Sequence, residues 1–265
     1  MVDAPTEVPA VPPALEVQGL SCGFGGVQAV NGVSLQIPEG AFVGLIGPNG
    51  AGKSTLVDCI SGLNRSYSGR VLFKGRDISR WAPNKIAGLS LGRSFQTTRL
   101  FSQLTAMSNL MAAPRGQTGE RLVPAVIGSW RQEEARHVRK AWGTLGLFDL
   151  RKRANNYAAE LSGGERRLVE LSRILMFEPT ALLLDEPFAG VSPSNRGYLA
   201  SQLEALWREH GVTILMIEHR LEWIEQLTRH AYVMAQGRII AQGTMAALRK
   251  DRAVVESYLG IPTDV

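Results

Sequence analysis

The segment 47–54 constrains the fold of this chain more than any other part of its sequence. It reads GPNGAGKS and stands between a short apolar run, Phe42–Ile46, and a stretch with helical spacing. Glycines let a backbone wrap closely around phosphate oxygens, and the start of a helix favours negative charge. The pattern therefore predicts a phosphate-binding loop, with Lys53 on the β and γ phosphates of a nucleotide and the Ser54 hydroxyl on Mg²⁺. The residues predicted to contact the nucleotide here are Gly47, Pro48, Asn49, Gly50, Ala51, Gly52, Lys53, Ser54 and Thr55.

Other apolar patterns place this loop in an α/β fold. Three continuous apolar runs are typical of strands buried on both faces of a parallel sheet. Two segments in which apolar and polar residues alternate are typical of antiparallel strands with one solvent-exposed face. Helical patterns follow the buried runs. We predict a P-loop NTPase core with a mostly parallel sheet and an N-terminal antiparallel β layer. The predicted strands are 15–17, 33–37, 42–46, 181–184 and 212–217, and the predicted helices are 53–61, 194–209 and 221–228.

The strand pattern lapses between Gln96 and Glu160, where helical spacing takes over, most clearly in 131–147. We predict a helical subdomain inserted into the core. Its basic residues are expected on a solvated surface, with contact to lipid headgroups or nucleic acid as the alternative. The apolar residues at helical spacing in 131–147 are Ala135, Val138, Trp142 and Leu145. The predicted division is a flexible leader at 1–14, a core at 15–95 and 164–265, and the helical subdomain at 96–163.

Composition narrows the class of protein without deciding the activity. The two cysteines, Cys22 and Cys59, are too few for a disulfide framework or a four-ligand zinc site, and we expect both to be packing residues in a reducing cytosol. Apolar runs are far shorter than the roughly 18 residues of a membrane span, so we expect the chain not to cross a bilayer. The net charge of +5 permits contact with nucleic acid, but the basic residues are dispersed along the chain.

Two adjacent carboxylates, Asp185 and Glu186, follow the apolar run at 181–184. This run is predicted to neighbour the strand that leads into the phosphate loop, so the carboxylates belong at the same end of the sheet. We predict that Asp185 orients Mg²⁺ through water and that Glu186 polarises the attacking water as general base. With the phosphate loop, these residues predict the binding and hydrolysis of ATP.

The segment 161–165 has the sequence Leu-Ser-Gly-Gly-Glu and opens a predicted helix. Ser162 is the predicted N-cap, and Glu165 three residues later completes a capping box. Beside the two elements above, the segment resembles the signature of ATP-binding cassette proteins. The resemblance implies that Ser162, Gly163 and Gly164 bind the γ-phosphate of ATP held by a second subunit, so that two sites form at one dimer interface.

The same resemblance assigns three further residues. Gln96 matches the glutamine loop, which joins the core to the helical subdomain and senses Mg²⁺ and water. His219 matches the switch histidine that contacts the γ-phosphate, and Phe24 matches an aromatic residue that stacks on adenine. Catalytic roles are thus expected of Glu186, His219 and Gln96, and metal contacts of Ser54, Gln96 and Asp185.

Ser192 departs from the family pattern, which usually has an aspartate at this position facing the partner subunit. A serine forms hydrogen bonds but brings no charge. We therefore expect altered communication between the two ATP sites and intact hydrolysis.

Several further segments resemble the ATP-binding subunits of branched-chain amino acid importers. The resemblance implies a peripheral subunit at the cytoplasmic face of the inner membrane, working with a second ATPase subunit, identical or closely related. Further implied partners are two integral-membrane permeases and, indirectly, an extracytoplasmic solute-binding protein, with no nucleic acid. The cargo is left open among branched-chain amino acids, urea and short amides. The segments are 24–26, 29–31, 93–101, 237–243 and 254–260.

A permease-docking site is expected near 96–110. Phe95, Leu100 and Phe101 are candidates for an apolar groove that receives permease helices. Core packing within the helical subdomain is an equally good account of these three side chains.

Three alternatives stand beside the import reading. One is an export ATPase for lipid or lipopolysaccharide. Another is a cassette ATPase that acts on DNA or ribosomes. The sequence has one set of motifs and no extended heptad run, which argues against this second alternative. A third is a regulatory subunit that binds ATP without turnover. The residues that argue against the third alternative are Lys53, Gln96, Ser162, Asp185, Glu186 and His219.

Overall fold

Two β-sheets and nine helices make up the computed structural model over the residues that it describes, 13–114 and 130–259. The strands are β1 Pro13–Phe24, β2 Val27–Pro38, β3 Phe42–Ile46, β4 Ser68–Phe73, β5 Arg76–Asp77, β6 Leu91–Arg93, β7 Ala181–Asp185, β8 Thr213–Ile217, β9 His230–Ala235 and β10 Arg238–Gly243. The helices are α1 Lys53–Ile60, α2 Pro83–Ala87, α3 Ala106–Met111, α4 Trp130–Leu147, α5 Gly163–Leu175, α6 Pro193–Arg208, α7 Leu221–Leu227, α8 Met245–Leu248 and α9 Arg252–Leu259. Short 3₁₀ turns follow α4 at Arg151–Arg153 and Ala158–Glu160.

The main sheet has the strand order β10-β9-β3-β8-β7-β6, and all its neighbouring strands are parallel except β10 and β9. A second sheet has the order β2-β1-β4-β5 and is antiparallel throughout. The predicted mostly parallel core and N-terminal antiparallel layer are therefore confirmed. The carboxyl ends of β3, β7 and β8 lie side by side at one edge, where the functional residues follow them.

The core lies on both faces of the main sheet. In β3, β7 and β8 the odd-numbered apolar residues cluster with the antiparallel sheet and α1. The even-numbered apolar residues of the same strands cluster with α5, α6 and α7. Because both faces are covered, these strands read as continuous apolar runs in the sequence.

One predicted boundary needs correction, and the buried face of α4 differs in part from its apolar spacing. Pro13 and Ala14 were assigned to the flexible leader, but both belong to β1, since Ala14 is 1% exposed and its carbonyl oxygen accepts a hydrogen bond from the amide of Lys74. The rest of the predicted leader lies outside the described residues. In α4 the buried residues are Ala141, Thr144 and Leu145, whereas Trp142 is 39% exposed.

The helix α4 contacts α3 and α5 through a face rotated toward Ala141 and Thr144, so the apolar spacing in its sequence locates the buried face only in part. The described residues between Gln96 and Glu160 contain helices and turns and an isolated bridge between Thr105 and Tyr157. The predicted boundaries of a separate helical subdomain stay a prediction.

No helix in the described ranges is long and apolar enough to cross a membrane.

Candidate active site

The loop between β3 and α1 is tightly packed and uses backbone conformations that glycine adopts readily. Gly47, Gly50 and Gly52 have φ angles of 147, 78 and 96°, in the region that favours glycine. A Cβ atom on Gly47 would lie 2.0 Å from the Met234 carbonyl oxygen, and one on Gly52 would lie 2.1 Å from the Ala29 carbonyl oxygen. The loop is therefore pressed between β9 and β2 and leads directly into the start of α1, where unpaired amides favour an anion.

Lys53, the first residue of α1, is 5% exposed. Its Nζ atom donates hydrogen bonds to the carbonyl oxygens of Gly47 at 2.8 Å and Pro48 at 2.9 Å. Burial lowers the pKa of Lys53, and the negative charges of Glu186 and Asp185 oppose that effect. The ammonium group thus lies beneath the loop, within the electrostatic field of the two carboxylates.

Asp185 ends β7 and is 2% exposed. Burial raises the pKa of Asp185, while the charge of Arg93 and a hydrogen bond with the Ser54 hydroxyl oppose the rise. Its Oδ1 atom is buried and has no hydrogen-bond partner among the described residues. A buried carboxylate oxygen beside a serine hydroxyl fits a hydrated Mg²⁺, which is usually held by one or two protein ligands, waters and phosphates.

A metal site built from protein side chains alone is not found: within 13–114 and 130–259 no group of three His, Cys, Asp or Glu residues is placed to hold an ion. The predicted Mg²⁺ contacts are Ser54, Gln96 and Asp185, and bound Mg²⁺ would take its further ligands from water and the nucleotide phosphates.

Glu186, His219 and Gln96 meet at a single carboxylate oxygen. His219 Nε2 lies 2.8 Å from Glu186 Oε1, and Gln96 Nε2 donates to the same oxygen at 3.4 Å. Glu186 has a φ of 49°, which is unusual outside glycine, and its amide donates to the carbonyl oxygen of Ile217 at 3.0 Å. The structure brings together the three residues that were predicted to be catalytic, and their individual roles stay predictions.

Glu218 is a buried residue of this region that the sequence patterns did not single out. Its carboxylate accepts hydrogen bonds from the backbone amides of Phe188 at 3.3 Å, His219 at 3.2 Å and Arg220 at 3.5 Å. Burial raises the pKa of Glu218, and these amides oppose the rise. The side chain therefore ties the loop after β8 to the loop after β7. The sequence feature that could have indicated Glu218 is its position next to His219 at the end of a buried strand.

The start of α5 has the predicted capping box. The Ser162 hydroxyl accepts from the Glu165 amide at 3.2 Å, and the Glu165 carboxylate accepts from the Ser162 amide at 2.8 Å. A Cβ atom on Gly164 would lie 3.1 Å from the Gly190 carbonyl oxygen, so the helix start packs against the loop that precedes α6. Ser192 in this loop is exposed, and its Oγ atom lies 3.1 Å from that of Ser194.

Phe24 ends β1 at the tip of the hairpin with β2 and is 59% exposed. The same hairpin carries Ala29, whose carbonyl oxygen packs against Gly52 of the phosphate loop. An exposed aromatic ring is therefore available on a hairpin that passes alongside the phosphate loop.

Comparison with a protein-family model shows which family this chain belongs to. The model of the ABC transporter family matches residues 30–189, more than half of the 265 residues. The chain belongs to the ABC transporter family. The match spans the phosphate loop, Gln96, the start of α5 and the Asp185–Glu186 pair, and it ends before His219. The protein is an ABC transporter ATPase.

Curated relatives of this ABC ATPase match almost its whole length. The probable branched-chain amino acid transport ATP-binding protein LivG of Archaeoglobus fulgidus is 38% identical over 93% of this chain and 95% of its own. The high-affinity branched-chain amino acid transport ATP-binding protein BraF of Pseudomonas aeruginosa is 36% identical over 94% of this chain and 98% of its own.

Solved structures agree on the fold. A nucleotide-free ATP-binding cassette from an ABC transporter superposes with a TM-score of 0.79 at 33% identity, covering 93% of this chain and 98% of that one. The ADP conformation of an ATP-binding cassette of an ABC transporter gives a TM-score of 0.77 at 33% identity, covering 94% of this chain and 99% of that one.

Proposed function

We propose that this ABC ATPase powers the uptake of branched-chain amino acids, or of a related small polar solute, through separate membrane permeases. The observation that carries the proposal is the near full-length similarity to LivG and BraF, whose names assign them to branched-chain amino acid transport. An export ATPase is not favoured by these relatives. The protein would act as a peripheral subunit at the cytoplasmic face of the inner membrane.

The site residues divide the work of ATP hydrolysis in a way that the geometry supports. Lys53 and the amides at the start of α1 bind the phosphates, Ser54 and Gln96 contact Mg²⁺, and Asp185 orients it through water. Bound Mg²⁺ neutralises phosphate charge. Glu186 accepts a proton from the attacking water, and the contacts of His219 and Gln96 with its Oε1 atom fix the direction of the carboxylate.

A second ATPase subunit, identical or closely related, completes the active unit in this proposal. The start of α5 is capped by Ser162, which is exposed together with Gly163, so its free amides can meet an anion on another molecule. Two copies would close on two ATP molecules and reopen after hydrolysis, as a clamp that moves the permeases.

An apolar cavity supports permease docking next to the glutamine loop. It has a volume of about 150 Å³ and lies between α2, β6 and the end of α5, where Phe95 and Phe177 are among its lining residues. Phe101 is 52% exposed, whereas Leu100 packs against the core cluster that the main sheet forms with α5, α6 and α7. We therefore assign Phe95 and Phe101 to permease docking and Leu100 to core packing. The extracytoplasmic solute-binding protein would be an indirect partner, and no nucleic acid is involved.

Gentle detergent extraction of the tagged protein from its native membranes, followed by mass spectrometry, tests the import proposal. We expect two multi-span permeases of the amino-acid importer type to co-purify, and the binding protein that accompanies them identifies the cargo. Recovery of lipid-export components, ribosomes or nucleic acid in their place would overturn import and leave the ATPase assignment intact.

A further inference from the structure

Arg167 lies one turn into α5 and is 1% exposed. Its Nη1 atom donates to the carbonyl oxygen of Phe95 and, at 2.8 Å, to the Glu170 carboxylate. Its Nη2 atom donates to the carbonyl oxygens of Asp185 and, at 2.9 Å, Glu186. All four terminal N–H groups of this guanidinium are therefore used, three of them on backbone carbonyls of other segments.

Those three carbonyls belong to the segments that carry the catalytic candidates. Phe95 immediately precedes Gln96, and the carbonyls of Asp185 and Glu186 belong to the peptide groups on either side of the Glu186 Cα atom. Glu186 has a φ of 49°, a conformation that a non-glycine residue keeps only when its surroundings hold it. One planar guanidinium thus fixes both peptide planes that set the direction of the Glu186 side chain.

We propose that Arg167 is a positioning residue that holds Glu186 and Gln96 in their catalytic arrangement from α5. The proposal rests on the proposed function, in which Glu186 is the general base. Because α5 begins at Gly163, one turn before Arg167, a displacement of the helix start reaches the peptide groups of Glu186 through this side chain. Binding of a partner subunit's ATP to the helix start would change the position of Glu186 through the same contacts.

The alternative account is that Arg167 only neutralises Glu170, which is buried with it. Two variants separate the accounts. Glu170→Gln removes the charge pair and leaves the three carbonyl contacts, whereas Arg167→Met/Glu170→Gln removes the contacts without leaving a buried unpaired charge. Both are measured for ATP turnover, for ATP affinity and for thermal unfolding.

Positioning predicts that Arg167→Met/Glu170→Gln lowers kcat at least about tenfold while KM for ATP stays within about threefold. Glu170→Gln alone keeps kcat within about threefold of wild type. Arg167→Lys, which keeps the charge but not the planar fork, gives an intermediate kcat and serves as the readout if the double variant does not fold. A double variant, or a folded lysine variant, with wild-type kcat would overturn the proposal.

A third background separates this proposal from the base assignment. In Glu186→Gln, adding Arg167→Met/Glu170→Gln should cause no further loss of turnover, since Arg167 acts on Glu186 directly and on Gln96, whose side chain contacts the same Glu186 carboxylate. A further loss of tenfold or so would show that Arg167 acts elsewhere and would overturn the proposal. Normal turnover by Glu186→Gln alone would overturn the base assignment and, with it, the positioning role.

Discussion

His219 Nε2 and Glu186 Oε1 lie 2.8 Å apart, which joins the residues that follow two neighbouring parallel strands. In the register of β7 with β8, Asp185 pairs with Ile217, so the chain segments just beyond the two strands emerge at the same level of the sheet. The imidazole and the carboxylate therefore meet because of the sheet topology, with Gln96 arriving at the same oxygen from the end of β6. Hydrolysis should depend on this contact.

Removing the imidazole should slow turnover without abolishing nucleotide binding. We expect His219→Ala to lower kcat by about 10- to 100-fold, because Glu186 loses the group that directs its carboxylate. Phosphate release and ATP titration measure the two effects. His210→Ala is the matched control, since His210 is exposed and lies before β8, at the end opposite to His219. An equal rate in both variants would remove His219 from the mechanism.

Two glycine-to-alanine changes should have opposite effects on stability. Gly52→Ala places a Cβ atom 2.1 Å from the Ala29 carbonyl oxygen at a φ of 96°, and it should cost at least about 2 kcal/mol and disrupt ATP binding. Gly143→Ala lies within α4 with nothing within 4 Å of the new atom, and it should stabilise by about 0.5–1 kcal/mol. Denaturant unfolding measures both. A stabilised, ATP-binding Gly52→Ala protein would refute the tight packing of the loop.

Protonation of His230 should make the folded state less stable in mild acid. Burial lowers its pKa below the ordinary 6.5, although a hydrogen bond with Gln242 opposes the shift. The unfolded chain therefore takes up a proton near pH 6.5 that the folded protein does not, so this stability is present above that pH and is lost as the pH falls toward the folded pKa.

We expect His230→Gln to reduce the fall in Tm between about pH 7.5 and pH 5.5. Thermal unfolding across this range is the measurement. An identical fall in wild type and His230→Gln would show that other groups carry the acid sensitivity.

The docking assignment predicts that permease binding can be weakened while ATP hydrolysis is kept. Phe101→Ala should weaken co-purification of the permeases while the isolated protein keeps its ATPase rate within about twofold, because the ring is exposed and outside the hydrolytic cluster. Leu147→Ala, which truncates a side chain of 40% exposure at the end of α4, is the matched control. Equal permease recovery from the two variants would place docking elsewhere.

Local sequence signals were enough for the parts of the site that are contiguous in the chain. The phosphate loop follows β3 as predicted, α1 begins at Lys53, and the capping box of Ser162 and Glu165 forms as its spacing indicated. Each of these features depends on residues within a few positions of one another, so backbone geometry alone constrains them.

Features that depend on distant segments were not accessible in the same way. Arg167 appears in the sequence as one of several basic residues on a helix, and its burial follows only from the meeting of α5 with Phe95 and Glu186. Glu218 has its role because two loops from neighbouring strands approach each other. The strand β1 starts earlier than its alternation suggested because the Ala14 carbonyl oxygen accepts a hydrogen bond from the amide of Lys74, a residue distant in the sequence.

The most direct test of this account is phosphate release by purified Glu186→Gln beside wild type, with ATP binding measured on the same samples. We predict that the variant binds ATP as wild type does, accumulates as a closed dimer and hydrolyses ATP at least about a hundredfold more slowly. Hydrolysis at the wild-type rate would contradict the assignment of Glu186 as the base and the mechanism that rests on it.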